Sequence, residues 1–218
     1  MNVELKKRII TSICLLILLT IMFYYTFVLI ISLVLLGVIS WIEFYALISK
    51  IFKNNNYKDK TLRFLCKSSS LLYISSLVYF IIVIKSKNSE LEFIVVYAVM
   101  ISIFTDTGGL IFGKIFKGKK LTNISPKKTI SGSVGSFIFS LFLLPFFIKY
   151  FVNYNIFELL LITMLISLIS QLGDLFISFL KRKAKVKDTS DLLPGHGGIL
   201  DRIDGIIFSI PIALILLN

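Results

Sequence analysis

The sequence predicts an all-α fold: a polytopic integral membrane bundle of about seven transmembrane segments, some short or broken around a cytoplasm-facing polar cavity. Three observations predict it. The first is composition. Of 218 residues, 56% are hydrophobic and 17% charged, with 20 Phe and a mean hydropathy of +0.90. A soluble domain is about 45–50% apolar and about 25% charged. A globule this small has too much surface per unit volume to hide the excess. A soluble enzyme, a disulfide scaffold and a disordered tail are therefore excluded. The 2 Cys support no disulfide framework.

The second observation is a set of uncharged runs at about 9–24, 26–42, 68–84, 93–105, 134–148, 156–173 and 205–217. A helix needs about 20 apolar residues to cross the hydrocarbon core. The runs near 93–105 and 205–217 are short, so they read as half-spans, tilted spans, or spans extended by polar residues. Lys-Lys-Arg before the first run resembles a signal peptide. No small-residue cleavage site follows, so it reads as a retained helix. Glu43, near the end of the second run, is expected in the protein interior or at the interface and not against lipid. The stretch Lys50 to Lys67, with Asn54-Asn55-Asn56, reads as a cytoplasmic loop.

The third observation is charge asymmetry. With seven spans, 21 of the 24 basic residues fall on one side, and only Lys85, Lys87 and Lys149 on the other. The positive-inside rule then puts the N-terminus in the cytoplasm. Topology and attraction to anionic headgroups account for most of the net charge of +12 without nucleic acid. The chain reads as one membrane domain, 1–218, with N-terminal transmembrane helices over 1–104 and a chemistry-bearing region over 105–218.

Two polar segments interrupt the apolar pattern. The first runs from Thr105-Asp106-Thr107-Gly108-Gly109 to Ser125-Pro126-Lys127-Lys128-Thr129. Asp106 ends an apolar run and needs a cation or hydrogen-bond donors. Gly108 and Gly109 let a backbone or a ligand come close. Ser125-Pro126 marks a turn or helix start. The free N–H groups there, with Lys127, Lys128 and Thr129, suit a phosphate. A basic cytoplasmic loop entering a helix gives the same pattern.

The second segment carries more. Asp174 sits in a run that is apolar on both sides, and burying an unpaired carboxylate costs on the order of several kcal/mol. A divalent cation removes that cost. Asp201 and Asp204 are spaced i, i+3 and share a face of a helix that starts near Leu200. Pro194-Gly195-His196-Gly197-Gly198 is a compact turn that brings backbone N–H groups close to a ligand. Together these describe an oxygen-ligand Mg²⁺ site beside a cationic, glycine-lined phosphate pocket at the cytoplasmic face. Plainer readings stand beside this one. Asp174 pairs with Arg202 or Lys181 as a structural ion pair. Asp201, Arg202 and Asp204 form a capped helix start. His196, the only histidine, holds a turn. Lys181-Arg182-Lys183 is a snorkelling interfacial cluster.

At these residues the chain resembles the phosphatidate cytidylyltransferases, or CDP-diacylglycerol synthases. The resemblance rests on Gly173-Asp174-Leu175, Ser178-x-x-Lys181-Arg182, Lys187-Asp188 and Leu193-Pro194-Gly195-His196-Gly197-Gly198-Ile199-Leu200-Asp201-Arg202-Ile203-Asp204. Ser125-Pro126-Lys127-Lys128-Thr129 and Asp106-Thr107-Gly108 add to it. Departures are Ser131, where the family usually has Glu, Ser190, where glycine is common, and a shorter chain. The resemblance implies that CTP and phosphatidate give CDP-diacylglycerol and pyrophosphate, at the cytoplasmic face of the plasma or inner membrane.

It implies Mg²⁺ or Mn²⁺ on Asp174, Asp201 and Asp204, with Asp106 taking a second cation or the nucleotide. Lys127, Lys128, Lys187 and Arg202 are expected on substrate phosphates. Asp174, Asp201, Lys128 and Arg202 are expected to serve the chemistry itself. Ser125, Thr129, Lys181, Arg182, Asp188, Gly195, His196, Gly197 and Gly198 are expected to complete the substrate pocket. The lipid bilayer is the implied partner, and a homodimer stays open. Two other classes also stay open. One is another CTP-dependent membrane lipid enzyme, such as a polyprenol kinase or a cytidylyltransferase for a different lipid phosphate. The other is an ion-coupled transporter using Asp106 and Asp174.

Overall fold

Uncharged runs of the predicted kind do become helices. The structure, a computed structural model, describes residues 13–14, 17–18, 20–22, 24–54, 56–87, 89–195 and 197–217. Among them the long helices are α1 (Thr26–Ile51), α2 (Tyr57–Lys87), α3 (Ser89–Phe116), α4 (Ile130–Leu141) and α6 (Ile156–Lys183). Shorter pieces are α5 (Leu144–Phe147), a 3₁₀ turn (Ile148–Tyr150), α7 (Leu200–Ile203) and α8 (Ile206–Leu216). The only β-type pairings among the described residues are two isolated bridges, Lys120 with Thr129 and Leu193 with Gly197.

Five helical stretches are long and apolar enough to cross a membrane: Thr26–Ile51, Tyr57–Ser86, Leu91–Phe116, Ile130–Tyr150 and Ile156–Lys183. The protein is thus a polytopic helical membrane protein. Two of the seven predicted runs are not among these five. The run at about 9–24 lies largely outside the described residues. The run at 205–217 forms α8, whose 11 residues rise only about 16 Å at 1.5 Å each, roughly half a bilayer core. The short run at 93–105 grows to a 28-residue helix because Asp106, Thr107 and the glycines continue it.

The chain divides into two compact units, each described by itself: Met1–Ile82 with Leu180–Ile203, and Val83–Phe179 with Asp204–Asn218. In the first, α1 and α2 leave an apolar groove of about 290 Å³ lined by Val34, Gly37, Trp41, Leu71, Ile74 and Val78. At the Trp41 end, Trp41 Nε1 donates to the Lys67 carbonyl at 3.3 Å, and the Lys67 ammonium lies 3.3 Å from the Tyr45 ring centroid. Such aromatic and cationic pairing is typical of a membrane–water interface.

In the second unit, α3 and α4 meet through small residues. A Cβ on Gly108 would stand 2.7 Å from the Gly135 carbonyl, and one on Gly132 would stand 2.8 Å from the Gly109 carbonyl. The seam is closed by polar side chains: Ser136 donates to the Thr105 carbonyl at 2.7 Å, and Thr105 meets Ser167 of α6 at 2.8 Å. Buried Tyr97 and Thr163 pair at 2.6 Å, and Ser102 and Ser209 at 2.7 Å. Small residues let helix backbones approach, and paired hydroxyls satisfy groups that lipid cannot. Gly108 and Gly109 therefore serve helix packing.

Candidate active site

The loop after α3 delivers the first polar segment. It leaves the helix through Lys117 and Gly118, both at positive φ, and returns to α4 through the Lys120–Thr129 bridge. The Leu121 N–H donates to the Lys128 carbonyl at 2.8 Å, and the Ile130 N–H to the Lys119 carbonyl at 3.0 Å. Thr129 is the N-cap of α4, accepting from the Gly132 N–H at 3.1 Å. Of the turn or helix start expected at Ser125-Pro126, the turn is observed, closed by the Lys128 N–H on the Ser125 carbonyl at 3.0 Å, and the helix begins at Ile130.

This loop brings Lys128 onto α6. Its ammonium pairs with Asp174 Oδ2, and Ser178, one turn on, donates to Asp174 Oδ1 at 3.3 Å. The pair is partly open, with side-chain exposures of 28% and 22%. One turn before Asp174, Gln171 accepts from Ser133 at 2.5 Å, while its buried Nε2 has no partner among the described residues. Lys127 is exposed, and Ser125 half-buried. Asp106 occupies an exposed position on α3, and Asp204 is buried with one oxygen accepting from the Gly205 N–H at 2.9 Å. A Cβ on Gly173 would stand 2.7 Å from the Asp204 carbonyl, so the backbone of α6 meets the chain just before α8 there.

The first unit holds the rest. Helix α6 ends in a Schellman turn: Val186 N–H donates to the Lys181 carbonyl at 3.0 Å and Lys185 N–H to the Arg182 carbonyl at 3.1 Å. Lys185 supplies the left-handed residue at φ 56°, where glycine is usual. This stop sends Lys187, Asp188 and the glycine turn away from the helix axis. Leu193 and Gly197 then exchange both backbone hydrogen bonds, at 2.9 and 3.1 Å, closing the turn. Gly195 and Gly197 take positive φ, 80° and 79°, which that turn requires. His196 lies outside the described residues.

Asp201, in α7, is nearly closed off, with 6% side-chain exposure. Its Oδ1 accepts from the Lys181 ammonium at 2.6 Å. Its Oδ2 accepts from the Thr189 N–H at 2.9 Å, the Thr189 hydroxyl at 3.0 Å and the Gly198 N–H at 3.1 Å. Burial alone raises its pKa. The Lys181 ammonium and the two N–H donors outweigh burial and hold the carboxyl below the usual range. Lys187, Asp188, Arg182 and Arg202 stand exposed around this loop.

One residue the site expectations omitted belongs here. Glu43, 3% exposed, accepts from Thr189 and Ser190 hydroxyls and from the Ile199 and Leu200 N–H groups. It caps α7 from α1. The signal was its charge near the end of an apolar run. Its partners lie 146–157 residues away in sequence. Within the first unit, then, the structure joins Lys181, Thr189, Gly198, Asp201 and Glu43. Within the second it joins Lys128, Ser178 and Asp174. Among the described residues, neither unit gathers three His, Cys, Asp or Glu side chains into an ion-binding group.

These features define a class: a helical membrane protein with lysine-neutralised carboxylates and a hairpin-closed glycine turn. The chain belongs to the cytidylyltransferase family, whose model matches residues 2–218. It is 48% identical over 126 residues to a phosphatidate cytidylyltransferase of Staphylococcus haemolyticus (strain JCSC1435), covering 56% of this chain and 48% of that one. It is 43% identical over 151 residues to a phosphatidate cytidylyltransferase of Staphylococcus aureus (strain COL), covering 68% and 56%. The chain spans about half the length of the curated relatives it matches.

Proposed function

We propose that the chain is an enzyme that transfers a cytidylyl group from CTP to phosphatidate, giving CDP-diacylglycerol and pyrophosphate. The observation that carries this reading is the Lys128–Asp174 pair. It joins the Ser-Pro-Lys-Lys-Thr loop to the Gly-Asp turn of α6, the two segments whose residues suit phosphate and cation. The relatives' names supply the substrates.

In the reaction, a phosphate oxygen of phosphatidate attacks the α-phosphorus of CTP. A new P–O bond forms as the bond to the bridging oxygen of the β-phosphate breaks, and pyrophosphate leaves with that electron pair. The nucleophile is already anionic, so the single histidine of the chain need not act as a base. The difficulty is bringing two polyanions together. Lys128 exchanges Asp174 for a substrate phosphate. Lys127, its exposed neighbour in the loop, is expected on further phosphate oxygens. The buried Nε2 of Gln171 is a donor awaiting an acceptor.

Asp174, partly open, offers hard carboxylate oxygens, one of them already meeting an ammonium where a cation would stand. That donor chemistry fits Mg²⁺ or Mn²⁺, which would supply further charge neutralisation to the triphosphate and the leaving group. The one-sided basic residues support a site facing the cytoplasm at the plasma or inner membrane.

The test is purified protein with CTP, phosphatidate and Mg²⁺, with the nucleotide labelled in its α- or γ-phosphate. The α label is expected in the lipid product, with one pyrophosphate released per lipid. Transfer of γ label instead identifies a lipid kinase and overturns the reading. Substrate-driven flux in proteoliposomes without any lipid product identifies a transporter.

A further inference from the structure

Glu43 has a setting the proposed chemistry does not explain. A buried carboxylate normally meets a cation. Among the described residues no ammonium or guanidinium pairs with this one; its four donors are all neutral. Oε1 accepts from Ser190 Oγ at 2.6 Å and Ile199 N at 3.1 Å. Oε2 accepts from Thr189 Oγ1 at 2.8 Å and Leu200 N at 2.8 Å. Two donors precede the glycine turn and two follow it. The carboxylate therefore ties both ends of the 189–200 loop to α1.

The same loop ends hold Asp201, through the N–H groups of Thr189 and Gly198. The Thr189 hydroxyl stands 2.8 Å from Glu43 and 3.0 Å from Asp201. It has one proton, so the two carboxylates compete for a single donor. Gly198 is packed between these groups: a Cβ there would stand 1.9 Å from Thr189 Oγ1 and 2.5 Å from Glu43 Oε2. A methylene of displacement at Glu43 is thus transmitted to the backbone that presents Gly197, Gly198 and Asp201.

We propose that Glu43 is a positioning residue, clamping both ends of the 189–200 loop so that its N–H groups and Asp201 are held in place for the nucleotide. The assignment of the nucleotide to this loop rests on the function proposed above. The clamp itself does not. Loss of a positioning contact is felt mainly by the substrate the positioned groups bind.

The experiment uses the full chain in lipid, with Glu43→Gln and Ser190→Ala. Gln keeps the volume of Glu but turns an NH₂ toward a fixed backbone N–H, so at least one backbone bond is lost. For Glu43→Gln we expect KM for CTP to rise about tenfold, the scale of one hydrogen bond to a charged group. KM for phosphatidate should change less than about twofold. Ser190→Ala should move KM for CTP in the same direction by about two- to threefold. KM for CTP within twofold of the parent in Glu43→Gln overturns the proposal, and so does an equal rise for both substrates.

A second readout needs no activity. In a Cys14→Ser, Cys66→Ser background, Leu200→Cys, buried at 1% exposure, should react slowly with a small maleimide. Adding Glu43→Gln should speed that reaction at least about tenfold, by opening the loop. If the parent turns over no CTP but labelling accelerates, the function has failed and the clamp stands. Unchanged labelling overturns the clamp whatever the kinetics.

Discussion

Asp201 and Asp174 have each met a lysine, and there the likeness ends. Asp201 is closed: 6% exposed, its partner Lys181 11% exposed, and its second oxygen held by three further donors. Asp174 is open: 22% exposed, with Lys128 on one oxygen and one long bond from Ser178 on the other. A closed pair resists rearrangement, because separating it strands a charge away from water. An open pair can exchange its partner at small cost. The difference assigns different work to two chemically identical side chains. One fixes the shape of a loop; under the proposed function the other would trade its lysine for an incoming cation while the lysine moves to a phosphate.

Substitutions can break this contrast. The largest effect is expected from Asp201→Asn, which strands the Lys181 ammonium. It should lower stability by about 3–5 kcal/mol and remove CTP-dependent turnover. A thermal midpoint equal to that of the parent would show that the closed setting is not what holds the loop. Asp174→Asn is expected to remove turnover by at least about a hundredfold. Its stability loss should stay under about 1 kcal/mol, as for other solvent-accessible ion pairs. If it unfolds the protein as Asp201→Asn does, the contrast is lost.

Lys128→Ala comes next. It should weaken apparent substrate affinity by about tenfold while the protein still folds. Unchanged affinity for both CTP and phosphatidate would leave Lys128 without the role given to it. The smallest effect concerns pH in the metal-free protein. Because the Asp201 carboxyl is held below its usual range, its stabilisation is complete above the ordinary Asp pKa of about 3.9. It is lost only as pH falls through the lower folded value. The stability gap between the parent and Asp201→Asn should therefore be flat from about pH 8 to 5. A gap already shrinking at pH 6 would contradict the assigned neighbours.

How legible was this in the sequence? Charge-free runs located the helices, because burying a charge in hydrocarbon is the largest local cost the chain faces. The run at 93–105 looked too short because charge marks where a span could stop, and Asp106 was read as such a mark. The small residues Thr105, Gly108, Gly109 and Gly113 carry the contrary signal: a seam for another helix, supplied by Gly132, Gly135 and Ser136.

In the site, the residue types and the closed glycine turn were readable, because a turn is a local event. The pairing of cations with carboxylates was not. Lys181 and Arg202 were the partners considered for Asp174, whereas Lys128 meets it, and Lys181 meets Asp201. Glu43 was expected inside or at the interface, and it is buried. Its four donors could not be named, since no periodicity links positions so far apart.

That separation has a consequence for biogenesis. Glu43 leaves the ribosome at least 146 residues before Thr189, Ser190 and the start of α7. At about 5–20 residues per second the interval is roughly 7–30 s. Throughout it, α1 must hold a carboxylate with none of its eventual donors, and a position near a helix end lets water serve meanwhile. Nascent chains halted before Thr189 should therefore keep that end of α1 hydrated until the four donors have emerged.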